Sequence, residues 1–435
     1  MNNNHSTVKY TEHRNNISIN LPEASSSSEL MQRRVVRISV RDGYATDSSS
    51  DKEGYGDGDN VVIRQRIGQV LAFSDRLPYG NYGFFIARYG DYWRFIKQLC
   101  MSELLSTRQL EKSRDVRHEE IVRFLLKALE SAKKQHVFDV GAELMKLTNN
   151  STCRLTMSMR CSEEHDEAER ITQLVKESME VGAKILLGDV LGPLRILAFW
   201  MYGKKAINVY QDDKAEFKIN RTHLKAFLLD LFVAGTSTSS EAMQWTIAEL
   251  INHPNIFNKV REEIKSVVGS TRLVEESDVS SLPYLQAVVK EALRLHPPGP
   301  VVVRESREDC KIKGFDIPEK TMVAINVYAI MRDAKIWNYP NDFRPERFLI
   351  SSKEKYGMEY IPFGAGRRGC PGSKLALSMI HTTVAAMVQC FDWKVGGEGD
   401  HAKVNMQVAP SFTMPMAQPF ICLPVVHFNP FTSSM

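Results

Sequence analysis

The spacing of apolar residues changes character near residue 60. Before that point they are sparse and keep no lasting period, interrupted by a serine run at Ser25–Ser28 and by TDSSSDKEGYGDGDN. Such a stretch cannot bury enough surface to offset the entropy of ordering it, so residues 1–60 are expected to be a disordered, low-complexity segment. From about Val61 to residue 435 the pattern is globular, and helical spacing dominates. It predicts helices near Tyr92–Leu105, Ser113–Lys134, Val140–Met157 and Asp166–Leu187, and a long one over Thr222–Asn252. The first half of the long one, AFLLDLFVAG, is apolar almost all round, the mark of a helix buried inside a domain. It should span roughly 45 Å and end at His253-Pro254. Another helix starts near Pro283 and stops at Pro297-Pro298. Short strands follow in VVVR, CKIKG and TMVAINVYAI, then a helix from Pro371 to about Cys390, then a strand-like end. The expected fold class is mainly α with a small β-rich part, without internal repeats.

Composition narrows the options. A chain of 435 residues has room for one to three domains and a large core. Its 56 Lys+Arg against 52 Asp+Glu leave a formal +4, too little to argue for a nucleic-acid partner, and no basic stripe or reading motif appears. Seven scattered cysteines, with no CxxC and no Cys/His cluster at zinc spacing, argue against a disulfide framework and a structural zinc. The most apolar stretch, Ile185–Gly203, is interrupted by Asp189, Pro193 and Arg195, so no membrane anchor is expected in the chain as given. The N-terminal MNNNHSTVKYTEHRNN lacks the apolar core of a signal peptide.

The richest stretch is PFGAGRRGCPG, Pro362–Gly372. Gly364 and Gly366 let the backbone turn tightly and approach a flat ligand. Cys370 lies just before a predicted helix, where free N–H groups and the positive dipole end favour a thiolate, the form that ligates metal. Arg368 is placed to bind an anionic group on the same ligand. A structural cysteine beside a glycine turn is the ordinary reading of one such residue. The joint pattern of Phe363, Gly366, Arg368, Cys370 and Gly372 is what sets this one apart.

That segment resembles the haem-binding loop of the cytochrome P-450 family, F-x-x-G-x-R-x-C-x-G, at every fixed position. The resemblance extends by further motifs, in the family's order, over roughly Leu71–Phe428. It implies haem b with the Cys370 thiolate as axial ligand, which favours O–O cleavage. Glu291 and Arg294 share a helical face and, alone, would be only a weak ion pair. The family adds Arg347 from FRPERF as a third partner beneath the haem. In AGTSTS, Gly235 costs a helix about 1 kcal/mol, which a close approach would explain, whether by a ligand or by a small-residue helix crossing with hydroxyls bonded back to carbonyls. The family places oxygen binding there, with Thr238 guiding protons; Ser237 stands where an Asp or Glu is usual. Trp93 and Lys97, four apart, match a propionate-binding pair, and Arg304 matches another such position. Lys97, Arg304 and Arg368 would together neutralise two carboxylates that are expensive to bury.

By the same resemblance the substrate cavity would be lined by Leu77–Gly90, Phe227–Ala234, Pro298–Val303 and Phe412–Pro419, mostly apolar and suited to a hydrophobic substrate. The implied enzyme is a plant microsomal monooxygenase on the cytosolic face of the endoplasmic reticulum. It would insert one atom of O2 into a flavonoid- or triterpenoid-class metabolite, with electrons from NADPH through a flavoprotein reductase. Membrane association is expected for the family, although no anchor precedes the domain, and the interval 203–222 is too short for the family's two lid helices. Arg33–Glu53 resembles a segment of plant ethylene-response transcription factors, but no DNA-binding domain follows. Two other readings stand beside the oxygenase: a non-catalytic or misspliced remnant, and an O2-independent hydroperoxide isomerase. Retention of Thr238 argues against the isomerase.

Overall fold

The computed structural model describes residues 8–10, 17–19, 39–40, 87, 89–157, 160, 221–349, 357–396 and 403–431. The predicted helix Asp166–Leu187, most of Leu77–Gly90 and the interval 203–220 lie outside the described residues, as does all of 1–60 apart from three short strands. The chain divides into two compact units, the smaller comprising residues 1–67 and 301–326 and the larger 68–300 and 327–435.

In chain order, β1 (Val8–Tyr10), β2 (Ile17–Ile19) and β3 (Ser39–Val40) form an antiparallel sheet. Then come α1 (Asp91–Leu99), running on into a π-helical turn Cys100–Leu104, α2 (Thr107–Lys112) and α3 (Arg114–Lys134). Next are β4 (Phe138–Asp139), α4 (Val140–Met157), α5 (Arg221–Asn252), α6 (Pro254–Val268) and α7 (Pro283–Leu295). β5 (Val301–Glu305), β6 (Cys310–Ile312), β7 (Phe315–Ile317) and β8 (Met322–Asn326) are followed by α8 (Ser373–Cys390), β9 (Phe391–Val395) and β10 (Ile421–Val426). Mainly α with a small β part is therefore the fold class.

Local chemistry accounts for most boundaries. α3 ends on Gln135 in the left-handed region (φ 54°), with Lys133 and Lys134 against its negative dipole end. Pro254 does end α5, and it also opens α6 as that helix's first residue, a helix the sequence reading did not separate. α6 stops at Gly269, φ 80°. Pro283 opens α7 in the same way.

In the larger unit α5 packs against α4, α7 and α8. Leu144 and Leu147 of α4, Met243, Ile247 and Leu250 of α5, Val288 of α7 and Val384 and Val388 of α8 meet in one core. Truncating any of these leucines to alanine should cost about 2–5 kcal/mol. A Cβ on Gly235 would come 3.3 Å from Thr152 Oγ1, and Thr148 Oγ1 donates to Thr236 O at 2.8 Å. The close approach at Gly235 is therefore a helix crossing with α4. β4, β10 and β9 form an antiparallel sheet in that order. Pro424 lies opposite Trp393 of β9, beyond the two residues of β10 that β4 covers, so its missing N–H is tolerated.

Within the smaller unit β5 pairs with β8, and β6 with β7. Lys313 (φ 49°) and Gly314 (φ 85°) make the two-residue turn between β6 and β7. Among the described residues Cys100, Cys310, Cys370, Cys390 and Cys422 are free, whereas Cys153 is disulfide-bonded, which its spacing did not predict. No described helix is long and apolar enough to cross a membrane.

Candidate active site

The loop before α8 is shaped by its own backbone. Gly364 and Gly366 have φ of 68° and 70°, which only glycine adopts without strain. Cys370 N–H donates to Phe363 O at 2.9 Å and Gly369 N–H to Gly366 O at 3.0 Å, closing the loop on itself. A Cβ on Gly366 would meet nothing within 4 Å, so that face of the loop is open. Cys370 is exposed on the same loop.

Although the residue reaches solvent, protein packed around its sulfur desolvates it and pushes the Cys370 thiol up, and the Gly372 N–H, the Lys97 ammonium and the Ser373 N–H pull the other way. The net direction is upward, against the expectation that the helix start alone would favour the thiolate. Two aimed N–H groups and one cation are not enough to offset desolvation. A cation bound at the sulfur would supply the rest.

Beside this loop α1 carries the second group of predicted residues. Trp93 is buried. The Lys97 ammonium lies 5.1 Å and the Arg368 guanidinium 4.5 Å from its ring centroid, so two cations share one indole. Lys97 donates to Arg367 O, Arg368 donates to Ala87 O, and Arg367 Nη1 donates to the Tyr89 hydroxyl at 3.1 Å. These bonds stitch α1 and the segment before it to the cysteine loop. Sulfur, open glycine face and clustered cations suit a flat, dianionic, metal-bearing group such as haem. Arg304 belongs to the smaller unit, in β5, where Nη1 donates to Val303 O at 2.9 Å and burial lowers its pKa.

Glu291 and Arg294 of α7 are fully buried, with Nε and Nη2 of the arginine each 2.8 Å from the carboxylate. Arg347 Nε and the Arg344 N–H each donate to Glu291 Oε1 at 3.0 Å. Arg294 Nη1 donates to Met331 O and Pro340 O at 2.8 and 2.7 Å, and its guanidinium lies 5.0 Å from the Trp337 ring centroid. The triad forms, and the main chain of the 331–344 segment saturates it. Those carbonyl partners carry no side-chain signal that a sequence reading could have used.

The oxygen stretch of α5 is different. Thr238 Oγ1 donates back to Ala234 O at 2.6 Å. Thr236 and Ser237 are buried, and their hydroxyl oxygens have no hydrogen-bond partner among the described residues. Glu241, less than one turn further on, is also buried; its Oε1 accepts from Thr413 Oγ1 at 2.8 Å and its Oε2 is unpartnered. Sequence reasoning passed over Glu241. The one signal for it was an acid within a run of small and apolar residues. No Asp or Glu replaces Ser237 at its own position.

A family model described as Cytochrome P450 matches residues 61–204 and 193–423. Cytochrome P450 705A22 of Arabidopsis thaliana is 41% identical over 406 residues, covering 83% of this chain and 78% of that protein. The 3,9-dihydroxypterocarpan 6A-monooxygenase of Glycine max is 39% identical over 421 residues, with 86% and 80% covered. The beta-amyrin 24-hydroxylase of Glycine max is 38% identical over 412 residues, with 84% and 80% covered.

Proposed function

The chain belongs to the cytochrome P450 family and is a plant monooxygenase of secondary metabolism, and on that premise we propose that it hydroxylates an apolar flavonoid- or triterpenoid-class metabolite. The named substrates of two relatives, a pterocarpan and the triterpenoid β-amyrin, support that class. Family membership implies haem-thiolate iron. When bound, the haem supplies activation of dioxygen.

This chain's residues would then divide the work. Cys370 Sγ would hold the iron, with the Gly372 and Ser373 N–H groups steadying its negative charge. Lys97 and Arg368, stacked on Trp93, would receive the propionates, a role that the family resemblance gives to Arg304 as well. Phe363 anchors the loop through its carbonyl. Thr238 holds a proton at Oγ1, parked on Ala234 O, and Ser237 Oγ is its neighbour for proton transfer. Electrons would come from NADPH through a flavoprotein reductase, at the cytosolic face of the endoplasmic reticulum. The P450 domain is taken as residues 61–435.

The observation that carries this reading is the exposed Cys370, held at a helix start beside two cations stacked on one indole. The test is the carbon-monoxide difference spectrum of the reduced, purified protein. A strongly red-shifted Soret band is the expected result, and its absence in a protein that has bound haem would refute Cys370 as ligand. Substrate turnover that proceeds without NADPH would refute the electron source.

A further inference from the structure

Segment 403–417 is held by α5 at three heights. Asn252 donates from Nδ2 to Val404 O at 3.2 Å and accepts the Val404 N–H on Oδ1 at 2.9 Å. Two turns back, Trp245 donates from Nε1 to Met414 O at 2.6 Å. One turn further back, Glu241 Oε1 accepts from Thr413 Oγ1 at 2.8 Å. The segment folds back on itself, with Ala417 N–H on Gln407 O at 2.8 Å and Ala409 N–H on Pro415 O at 2.9 Å. Residues 410–414 are thus the tip of a hairpin. Thr413 and Met414 are buried there, next to a half-buried Phe412. Glu241 lies three residues beyond Thr238, on the neighbouring turn of the same helix side.

We propose that Glu241, with Trp245, is a positioning residue for substrate: together they clamp Thr413 and Met414 so that Phe412 is held as a wall of the substrate cavity. The proposal rests on the reading of Thr238 as the oxygen side of the site and of Phe412–Pro419 as cavity lining. The clamp works only with a neutral carboxyl. Oε2 is buried with no hydrogen-bond partner among the described residues, and the Thr413 hydroxyl and Met414 N–H only partly offset the cost of a negative charge on the carboxyl. Burial pushes the Glu241 carboxyl from 4.5 up to about 8, with the Thr413 hydroxyl and the Met414 N–H pulling down. Helix spacing sets Ser237, Thr238, Ser240, Gln244 and Trp245 around it on α5, and the hairpin contributes Thr413 and Met414; none of these is charged.

The sign follows. An acid whose pKa is higher in the closed form favours closure at low pH. That advantage is complete below the ordinary carboxylate range. It is lost progressively as pH rises to about 8, when the proton passes to solvent and the tip opens to hydrate the carboxylate.

The test uses two azoles that bind haem iron through nitrogen, small imidazole and bulky clotrimazole, titrated by absorbance into the haem-loaded full chain between pH 6 and 9. For clotrimazole, wild type should bind more weakly as pH rises and level off above about 8. Glu241→Gln, which cannot ionise, should keep tight binding throughout. Glu241→Ala and Thr413→Val should bind clotrimazole about tenfold more weakly at pH 6, with imidazole within about twofold. Hydrogen exchange of residues 407–417, read on the haem-free chain, should be faster in Glu241→Ala than in wild type at the same pH. A Glu241→Gln protein that keeps the wild-type pH response overturns the proposal, as does a Glu241→Ala protein with unchanged exchange. If wild type gives no azole shift, the reading of the haem site fails and takes the clamp with it.

Discussion

The two polar regions along α7 and along α5 are built on opposite plans. Around α7, a fully buried carboxylate and guanidinium meet the largely buried side chain of Arg347 and a ring of main-chain groups, and the described contacts leave neither Glu291 oxygen unpaired. Along α5, a hydroxyl is parked on its own helix and three buried oxygens, on Thr236, Ser237 and Glu241, lack hydrogen-bond partners among the described residues. A saturated network resists motion because every shift breaks a bond in low dielectric. An unsaturated one costs stability but leaves oxygens able to accept or pass protons. Support is rigid on one side, and capacity for chemistry is kept on the other.

That contrast can be broken at either end. The largest effect is expected at the loop sulfur: Cys370→His should abolish the red-shifted carbon-monoxide band, and survival of the band would mean another ligand. On the saturated side, Arg294→Ala strands the buried Glu291 and should cost about 3–5 kcal/mol, read by denaturant unfolding of the haem-loaded protein. A loss below about 1 kcal/mol would show the network to be looser than its geometry.

An intermediate effect is expected where α5 meets the end of α7. Burial pushes the Glu249 carboxyl up, but hydrogen bonds from His253 and His296 outweigh it and hold the pKa at about 2. The His296 Nε2 lies 2.7 Å from Glu249 Oε1, its ring stacked on Trp245 at 4.4 Å. A depressed acid stabilises the fold above its ordinary 4.5 and loses that contribution as pH falls through about 2. Glu249→Gln should remove on the order of 2 kcal/mol at neutral pH and flatten the acid limb of the stability curve. An unchanged acid limb would place the sensitivity elsewhere. The smallest effect belongs to the unsaturated side. Ser237→Ala deletes a hydroxyl that gains nothing from the fold, so thermal stability should stay level or rise by up to about 1 kcal/mol. A clear drop would reveal a partner for that oxygen.

How much of this was readable in the chain follows from the range of each interaction. α7 and its Glu291–Arg294 pair come from local spacing, as do the glycine-shaped loop and the start of α8. Arg347 could be assigned only through family resemblance, since 56 residues separate it from Glu291. The clamp at Thr413 and the Asn252–Val404 pair span 172 and 152 residues with ordinary polar residues, and nothing local marks either end. Pro254 illustrates a different blindness. The rule that proline stops a helix was sound, but the same ring also opens one, and only packing decides that α6 follows. Gly235 was read with two explanations open, and the side chain that needs its missing Cβ turned out to be Thr152 on a neighbouring helix.

The self-closing cysteine loop has a consequence for assembly. Its curvature is written into two left-handed glycines and two short backbone bonds, none of which involves a cofactor. The socket's outline is thus held by contacts internal to the polypeptide. A receptor shaped in that way would spend little binding affinity on its own ordering.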